Sequence, residues 1–512
     1  LGVITLLAAA GLPRLTVDTG FDSLIPASDP ARQVYQRVMG EFGSDNKTII
    51  YIRDPKLWTP QQLAHLETLH RGIEALDDVM RVDDLFTLHT VDNANGRVSA
   101  KPLLPPAPKT LEEAIAARDS AMRNPLYIGN FFSNDGNVMA MVVSAMNVDE
   151  DPKFSRRLYN SLEDLLAKNR AHFEQIVQVG PPRITVELED ALFEDFILLG
   201  PLSALILVAS IVLFMRSWVA AIVPLITAGV TIVWTFGLLG WLQIPINILS
   251  AMLPSLIIVI GSTEDTHLVA AFFRGFDNNN RDPRGEAIGY MARNLGVSSI
   301  LIILTTVLGF ASNLFTDIGL IQQFAFASTF AMLANGFITL LMVPMLLSWL
   351  GPERMLETEA TTVSGMPDRI MSVFHHFQTH HPRSTLAITA LMCGFFLWQA
   401  STLYVTNDPL SYFPEDRPLI QDTKRIHKDL AGIKVFFIAL DAGAENAFQR
   451  PDNVAKLAEI QAFMQKQGVF DRSISLADHL AYVNREFHGG YEHLALPKTR
   501  QMIAQYLMFF QR

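Results

Sequence analysis

Two adjacent carboxylates, Glu264 and Asp265, sit inside the apolar run IVIGSTEDTHLVAAFF. One charged side chain at the centre of a membrane-spanning helix costs about 2.5–3.5 kcal/mol, so two in succession call for a use. Ser262, Thr263, Thr266 and His267 flank them, which is not what a lipid-facing surface carries. Neighbouring residues on a helix point about 100° apart, so the two carboxylates cannot face one partner. Gly261, one turn before Asp265, lets a neighbouring helix approach closely. The chemistry on offer is reversible proton loading, because an apolar surround disfavours the charged form of a carboxylate. Glu264, Asp265 and His267 are the relay candidates. The alternative is a helix end near the headgroups, since counting from Ile248 places Glu264 in the cytoplasmic third of its span.

The next apolar run, VSSILIILTTVLGFASN, holds Ser298, Ser299, Thr305, Thr306 and Gly309. Hydroxyls and small residues at this spacing suit close helix packing, and the sharper idea is that Thr305 or Thr306 faces the carboxylates. Elsewhere, HHFQTHH sets His376 and His380 four apart, which fits an interfacial amphipathic helix better than a metal pair. The acidic run Glu187, Glu189, Asp190, Glu194, Asp195 reads as a solvated face or a cation funnel. The chain has no GxxxxGK[ST] loop, so ATP is not the evident energy source. No nucleophile motif and no cofactor or metal motif stands out, and the expectation is that the chain is not an enzyme.

These groups need a membrane to act across, and the chain supplies one. Half of its 512 residues are hydrophobic and only 18% are charged, below the roughly 25% of soluble domains. The bias is concentrated between residues 196 and 403. A net charge of −11 with no basic stripe argues against a nucleic-acid partner. One cysteine, Cys393, allows no disulfide framework or zinc pattern.

Residues 1–11 read as the end of a first transmembrane helix, too short to cross alone. Residues 12–195 read as an external α+β domain. Helices are predicted over Ala31–Phe42, Pro60–Leu76, Leu111–Arg123 and Pro152–Val177. Strands are predicted over Lys47–Arg53, Val79–Phe86, Asn137–Asn147 and Arg183–Leu188, with 87–109 as a connector. Two strand–helix–strand units suggest a ferredoxin-like sandwich. Spans follow at 196–215, 218–242, 246–273, 295–315 and 318–350. A linker with an amphipathic helix occupies 351–385, a further span 386–404, and a second external domain opens at 405–512.

Arg216, the group Arg274, Arg281, Arg284 and Arg293, and then Arg354, Arg369 and Arg383 fall on alternate loops, whereas the turns at 243–245 and 316–317 hold no Lys or Arg. The positive-inside rule makes the basic loops cytoplasmic and residues 12–195 periplasmic.

An internal repeat organises the whole. At an offset of 388, Leu15 meets Leu403, Val17 meets Val405 and Pro26 meets Pro414. Both segments follow an apolar run and then give an acidic turn, a helix and a β-rich strand. A unit with six spans repeats in parallel about an axis along the membrane normal.

With this layout, and with FDSLIPASDP, DPLSYFPEDRP and TTVLGF, the chain resembles the resistance-nodulation-division superfamily. It is closer to the MmpL-like and hopanoid-exporter-like members, with helices 2–6 similar to a sterol-sensing domain. The first loop is too short for the drug-efflux type. The resemblance implies an α-helical polytopic membrane protein with a ferredoxin-like porter domain in a bacterial inner membrane, and a homo-oligomer, dimer or trimer. It also implies proton-coupled export of lipid-like or hydrophobic molecules, with the second half of the chain completing the relay. The pair Glu264–Asp265 departs from the Asp–Tyr pairing of MmpL-type members, which leaves both acids as candidates for the principal carrier. Two other implied functions are a proton-driven accessory of protein translocation and a non-transporting sterol or lipid sensor.

Overall fold

The computed structural model describes residues 1–18, 29–43, 46–94, 97–104, 108–145, 151, 153–215, 217–278, 280–352, 366–404, 408–490 and 493–508. Most of the acidic turn expected at 21–30, together with Arg216 and Arg354, lies outside the described residues. The chain forms two compact units, one of residues 1–32 and 188–407, the other of residues 33–187 and 408–512.

The second unit is built on a four-stranded sheet of β1 (Lys47–Arg53), β2 (Val79–Asp83), β5 (Val138–Ala145) and β6 (Gln175–Val179), in the order β2-β5-β1-β6. Each neighbouring pair is antiparallel. Helix α3 (Pro60–Glu74) connects β1 to β2, and α5 (Phe154–Asn169) connects β5 to β6. Alternation along β1 separates its two faces. Ile50 and Ile52 enter the core with Leu63, Leu66 and Ile73 of α3 and Leu158, Leu162 and Leu166 of α5. Those helix positions recur at three and four residues, the spacing of one buried face.

Three expectations need correction. The helix expected over Pro152–Val177 ends at Asn169, and residues 175–177 belong to β6. The 87–109 connector contains a hairpin, β3 (His89–Ala94) with β4 (Arg97–Pro102). The expected strand Arg183–Leu188 is helical, the start of α6 (Pro181–Met215). Pro181 and Pro182 preset helical φ where no backbone donor is needed, and this overrides the β-branched look of RITVEL. Gly180 makes the switch from strand to helix against β1, where a Cβ would meet Thr48 Cα at 2.8 Å.

The chain from Asp408 falls in the same compact unit as residues 33–187. α13 (Pro418–Asp429) starts 388 residues after the helix α2 (Pro30–Phe42), at the repeat's own offset. It reaches the other side of β1, where the Tyr51 hydroxyl donates to Asp429 Oδ2 at 2.6 Å. Helices α14 (Pro451–Gln467), α15 (Leu476–His488) and α16 (Arg500–Leu507) add Val454, Leu480, Val483 and Ile503 to the core of residues 33–187. These apolar faces have no sheet of their own to cover, because the β-like run 435–441 pairs with no strand among the described residues.

The buried Arg183 secures this arrangement. It donates to Asp422 at 2.9 Å, Glu187 at 2.8 Å and the Gln178 carbonyl at 2.8 Å. Asp422→Ala should cost about 2 kcal/mol, a charged hydrogen bond lost from a buried group, and reduced hydrogen-exchange protection of the β6 amides would report it.

His70 in α3 lies 2.8 Å from the fully buried Asp84. That hydrogen bond raises its pKa, against desolvation. A raised histidine stabilises the fold fully below its unfolded value of about 6.5 and loses the contribution as pH climbs through the folded value. Hydrogen-exchange stability of the α3 amides should therefore fall above about pH 6.5, and His70→Gln should flatten the dependence.

In the first unit, α6, α7 (Trp218–Leu242), α8 (Leu253–Arg274), α9 (Pro283–Ala311) and α10 (Gly319–Leu350) have the length and composition to cross a membrane. α7, α8 and α10 form its packed centre, while α6 and α9 leave most of their apolar surface open. α1 (Gly2–Ala9) lies on α7, where a Cβ on Gly11, Gly237 or Gly240 would overlap the facing backbone. Two further helices, α11 (Met366–His380) and α12 (Pro382–Ala400), follow. α12 holds the last expected span but is not among the five.

Candidate functional site

α8 carries both carboxylates into the packed centre, where Asp265 is 0% exposed and Glu264 6%. Their 100° separation gives them different surroundings. Asp265 points between α7 and α10. The Thr339 hydroxyl of α10 donates to Asp265 Oδ1 at 2.7 Å, and the Thr227 hydroxyl of α7 donates to Oδ2. Glu264 has no such cradle, and its buried Oε2 makes no hydrogen bond among the described residues. No ion pair within the described residues reaches either acid, so hydroxyls alone satisfy Asp265.

The sequence places those hydroxyls by helical periodicity. Thr227, Thr231 and Thr235 are spaced by four on α7, all fully buried. Thr231 donates to the Thr227 carbonyl and Thr235 to the Thr231 carbonyl, each at 2.8 Å. Thr231 also lies 3.3 Å from Asn335 Oδ1 on α10. Gly261 of α8 faces that amide, and a Cβ there would overlap it. The polar ladder therefore runs from Asp265 toward the Leu242 end of α7. Toward the Trp218 end the surround is apolar, with Val223, Leu268, Phe272, Val343 and Leu347 in one cluster.

The geometry tolerates either protonation state of Asp265. Thr227 has one hydroxyl hydrogen and three acceptors in reach, Asp265, the Pro224 carbonyl at 2.9 Å and the Val223 carbonyl at 3.2 Å. It donates to the carboxylate when Asp265 is charged. When Asp265 is protonated, Thr227 accepts from it and turns its own hydrogen to the backbone. A proton can come and go without stranding a buried polar atom, which would otherwise cost about 1–3 kcal/mol.

The other singled-out residues stand apart from this cradle. His267 and Thr263 are exposed on α8, and Thr263 donates to its own helix at Val259. Thr305 is exposed and bonds back to Leu301 and Ile302. Thr306 is half-buried, and Gly309 faces open space. The structure thus brings Gly261 and Asp265 together with Thr227, Thr231, Asn335 and Thr339, and not with Thr305 or Gly309. Among the described residues no group of three His, Cys, Asp or Glu is placed to hold a metal.

The sequence profile of the MMPL family matches residues 23–385, more than half of the chain. The chain belongs to the MMPL family. A protein described as a putative membrane protein of Methanocaldococcus jannaschii is 20% identical over 325 residues, covering 60% of this chain and 78% of its own length. This MMPL-family chain is thus a helical, polytopic membrane protein of the resistance-nodulation-division superfamily.

The sequence held a signal for the residues of the cradle that were not singled out. Three threonines at i, i+4 and i+8 within WVAAIVPLITAGVTIVWTFGLLGWL, and an asparagine inside the apolar run of α10, are polar groups that a spanning helix buries toward its partners. Thr339→Val should remove a donor from a buried carboxylate and cost about 1–3 kcal/mol in unfolding of the detergent-solubilised chain. Thr305→Val should leave unfolding within about 0.5 kcal/mol of the parent.

Proposed function

We propose that this MMPL-family chain is part of a proton-coupled secondary exporter of lipid-like or hydrophobic molecules, and is not an enzyme. The observation that carries the proposal is the Asp265 cradle, a fully buried carboxylate held by two hydroxyls and, among the described residues, by no cation. A structural carboxylate at that depth would be expected to have an ion-pair partner. A proton carrier needs an environment that accepts both of its forms.

Asp265 is the principal carrier in this reading. Protons reach it along the Thr235–Thr231–Asn335 side. The apolar cluster of Leu268, Phe272 and Leu347 seals the opposite side in this conformation. Neutralising Asp265 weakens the hold that α7 and α10 have on α8 and biases the helices toward a second packing. Glu264, less well satisfied, is an auxiliary site on the neighbouring face.

The membrane is the bacterial cytoplasmic membrane, and residues 33–187 and 408–512 face the periplasm. The strand order β2-β5-β1-β6 with two strand–helix–strand connections supports a ferredoxin-like porter domain there. Its role is to take a hydrophobic substrate from the outer leaflet.

The test is proton flux in proteoliposomes carrying the full-length protein, with a lipid extract supplied as substrate. Asp265→Asn should lower flux at least tenfold, and Glu264→Gln should lower it by less. Flux in Asp265→Asn equal to the parent would sink the proposal.

A further inference from the structure

The last turn of α10 cannot close on its own backbone. A helix leaves its final carbonyls without donors inside the helix. The Leu347 carbonyl accepts from the Gly351 amide at 2.9 Å. The next donor in line, for the Ser348 carbonyl, would be residue 352, which is proline and has no N–H. Arg284, the second residue of α9, takes that place. Its half-buried guanidinium donates to the Ser348 carbonyl at 3.2 Å, to the Pro352 carbonyl at 3.3 Å and to the Gly351 carbonyl. A positive charge is also the favourable sign at a helix C-terminus.

α10 is the helix that presents Thr339 to Asp265. Thr339 precedes Ser348 by nine residues, about 13 Å along the axis. Between them stands Pro344, which removes the backbone bond that the Leu340 carbonyl would accept. The last turns are therefore tied to the Thr339 segment less firmly than in an unbroken helix. Val343 and Leu347 share one apolar cluster with Phe272, Ala287 and Met291. Apolar contact is non-directional and permits sliding along the axis. A planar guanidinium fork on three carbonyls is directional and selects one axial position. We infer that Arg284 is a positioning residue for the proton step: by anchoring the end of α10 it sets the register in which Thr339 meets Asp265. The inference rests on Asp265 as the proton carrier. It brings the joint between α9 and α10 into the proton step, although the hydroxyls that hold Asp265 come from α7 and α10.

The experiment is infrared difference spectroscopy of the reconstituted full-length protein, read at the carboxylic-acid carbonyl band that Asp265→Asn removes. Arg284→Gln should shift that band in the same direction as Thr339→Val and by no more. When the two substitutions are combined, the band should sit where Thr339→Val alone puts it, because residues that act through one another are not additive. Arg284→Lys keeps the charge but lacks the planar fork. It should give a smaller shift in the same direction, and it carries the test alone if Arg284→Gln does not fold. Asp282 caps α9 by accepting from the Gly285 amide at 3.0 Å. Asp282→Ala loosens α9 without removing the anchor and should leave the band in place. A band unmoved in both Arg284 variants would overturn the inference. So would a shift that adds to that of Thr339→Val, or one that Asp282→Ala reproduces. A band that survives Asp265→Asn would instead sink the proton reading itself, so the two failures are distinguishable.

Discussion

A carboxylate with no cation beside it among the described residues, buried where three helices meet, is the constraint on which the membrane unit depends. Asp265 must be reached by donors from both flanking helices, and each donor dictates what surrounds it. Thr227 and Thr339 both have to face α8, so α7 and α10 must both lie against it. Gly261 clears the space for Asn335 one turn away, and the glycines of α7 let α1 close over its far side. The bonds that hold Asp265 are also the bonds that change when it takes a proton. Under the proposed coupling, packing and proton state are one variable in this core.

The second unit meets a different requirement. Its sheet needs cover on both faces, and one repeat alone covers only one. α3 and α5 bury Ile50 and Ile52, while α13 from the second repeat meets Tyr51 and Arg53 through Asp429. Arg183 ties the base of α6 to α13 by way of Asp422. Polar contacts join α13 to the sheet, and residues from Val454 onward share its hydrophobic core.

Much of this was legible in the sequence, and the failures have physical causes. Apolar run length located the five long helices, because a bilayer sets their length. The strands Lys47–Arg53 and 138–145 were legible because β-branched and apolar residues fill a buried strand. RITVEL misled, since β-branched residues tolerate a helix once Pro181 and Pro182 have started it. The acids at 264 and 265 announced themselves by their cost in an apolar run. Their partners did not, because a threonine satisfies itself on its own helix and leaves little trace in hydropathy. The spacing of four between Thr227, Thr231 and Thr235, and Asn335 inside an apolar run, carried the information. Thr305 has the same chemistry on α9, yet it is exposed and bonds back to its own helix, and local sequence does not encode that rotation.

The most direct measurement is infrared difference spectroscopy of the reconstituted protein across a pH titration. The account predicts a carboxylic-acid carbonyl band that grows on acidification, is absent in Asp265→Asn, and shifts in Thr339→Val, where that carboxyl has lost a hydrogen bond. An unchanged band in Asp265→Asn would show that the titrating proton resides elsewhere and would contradict the account.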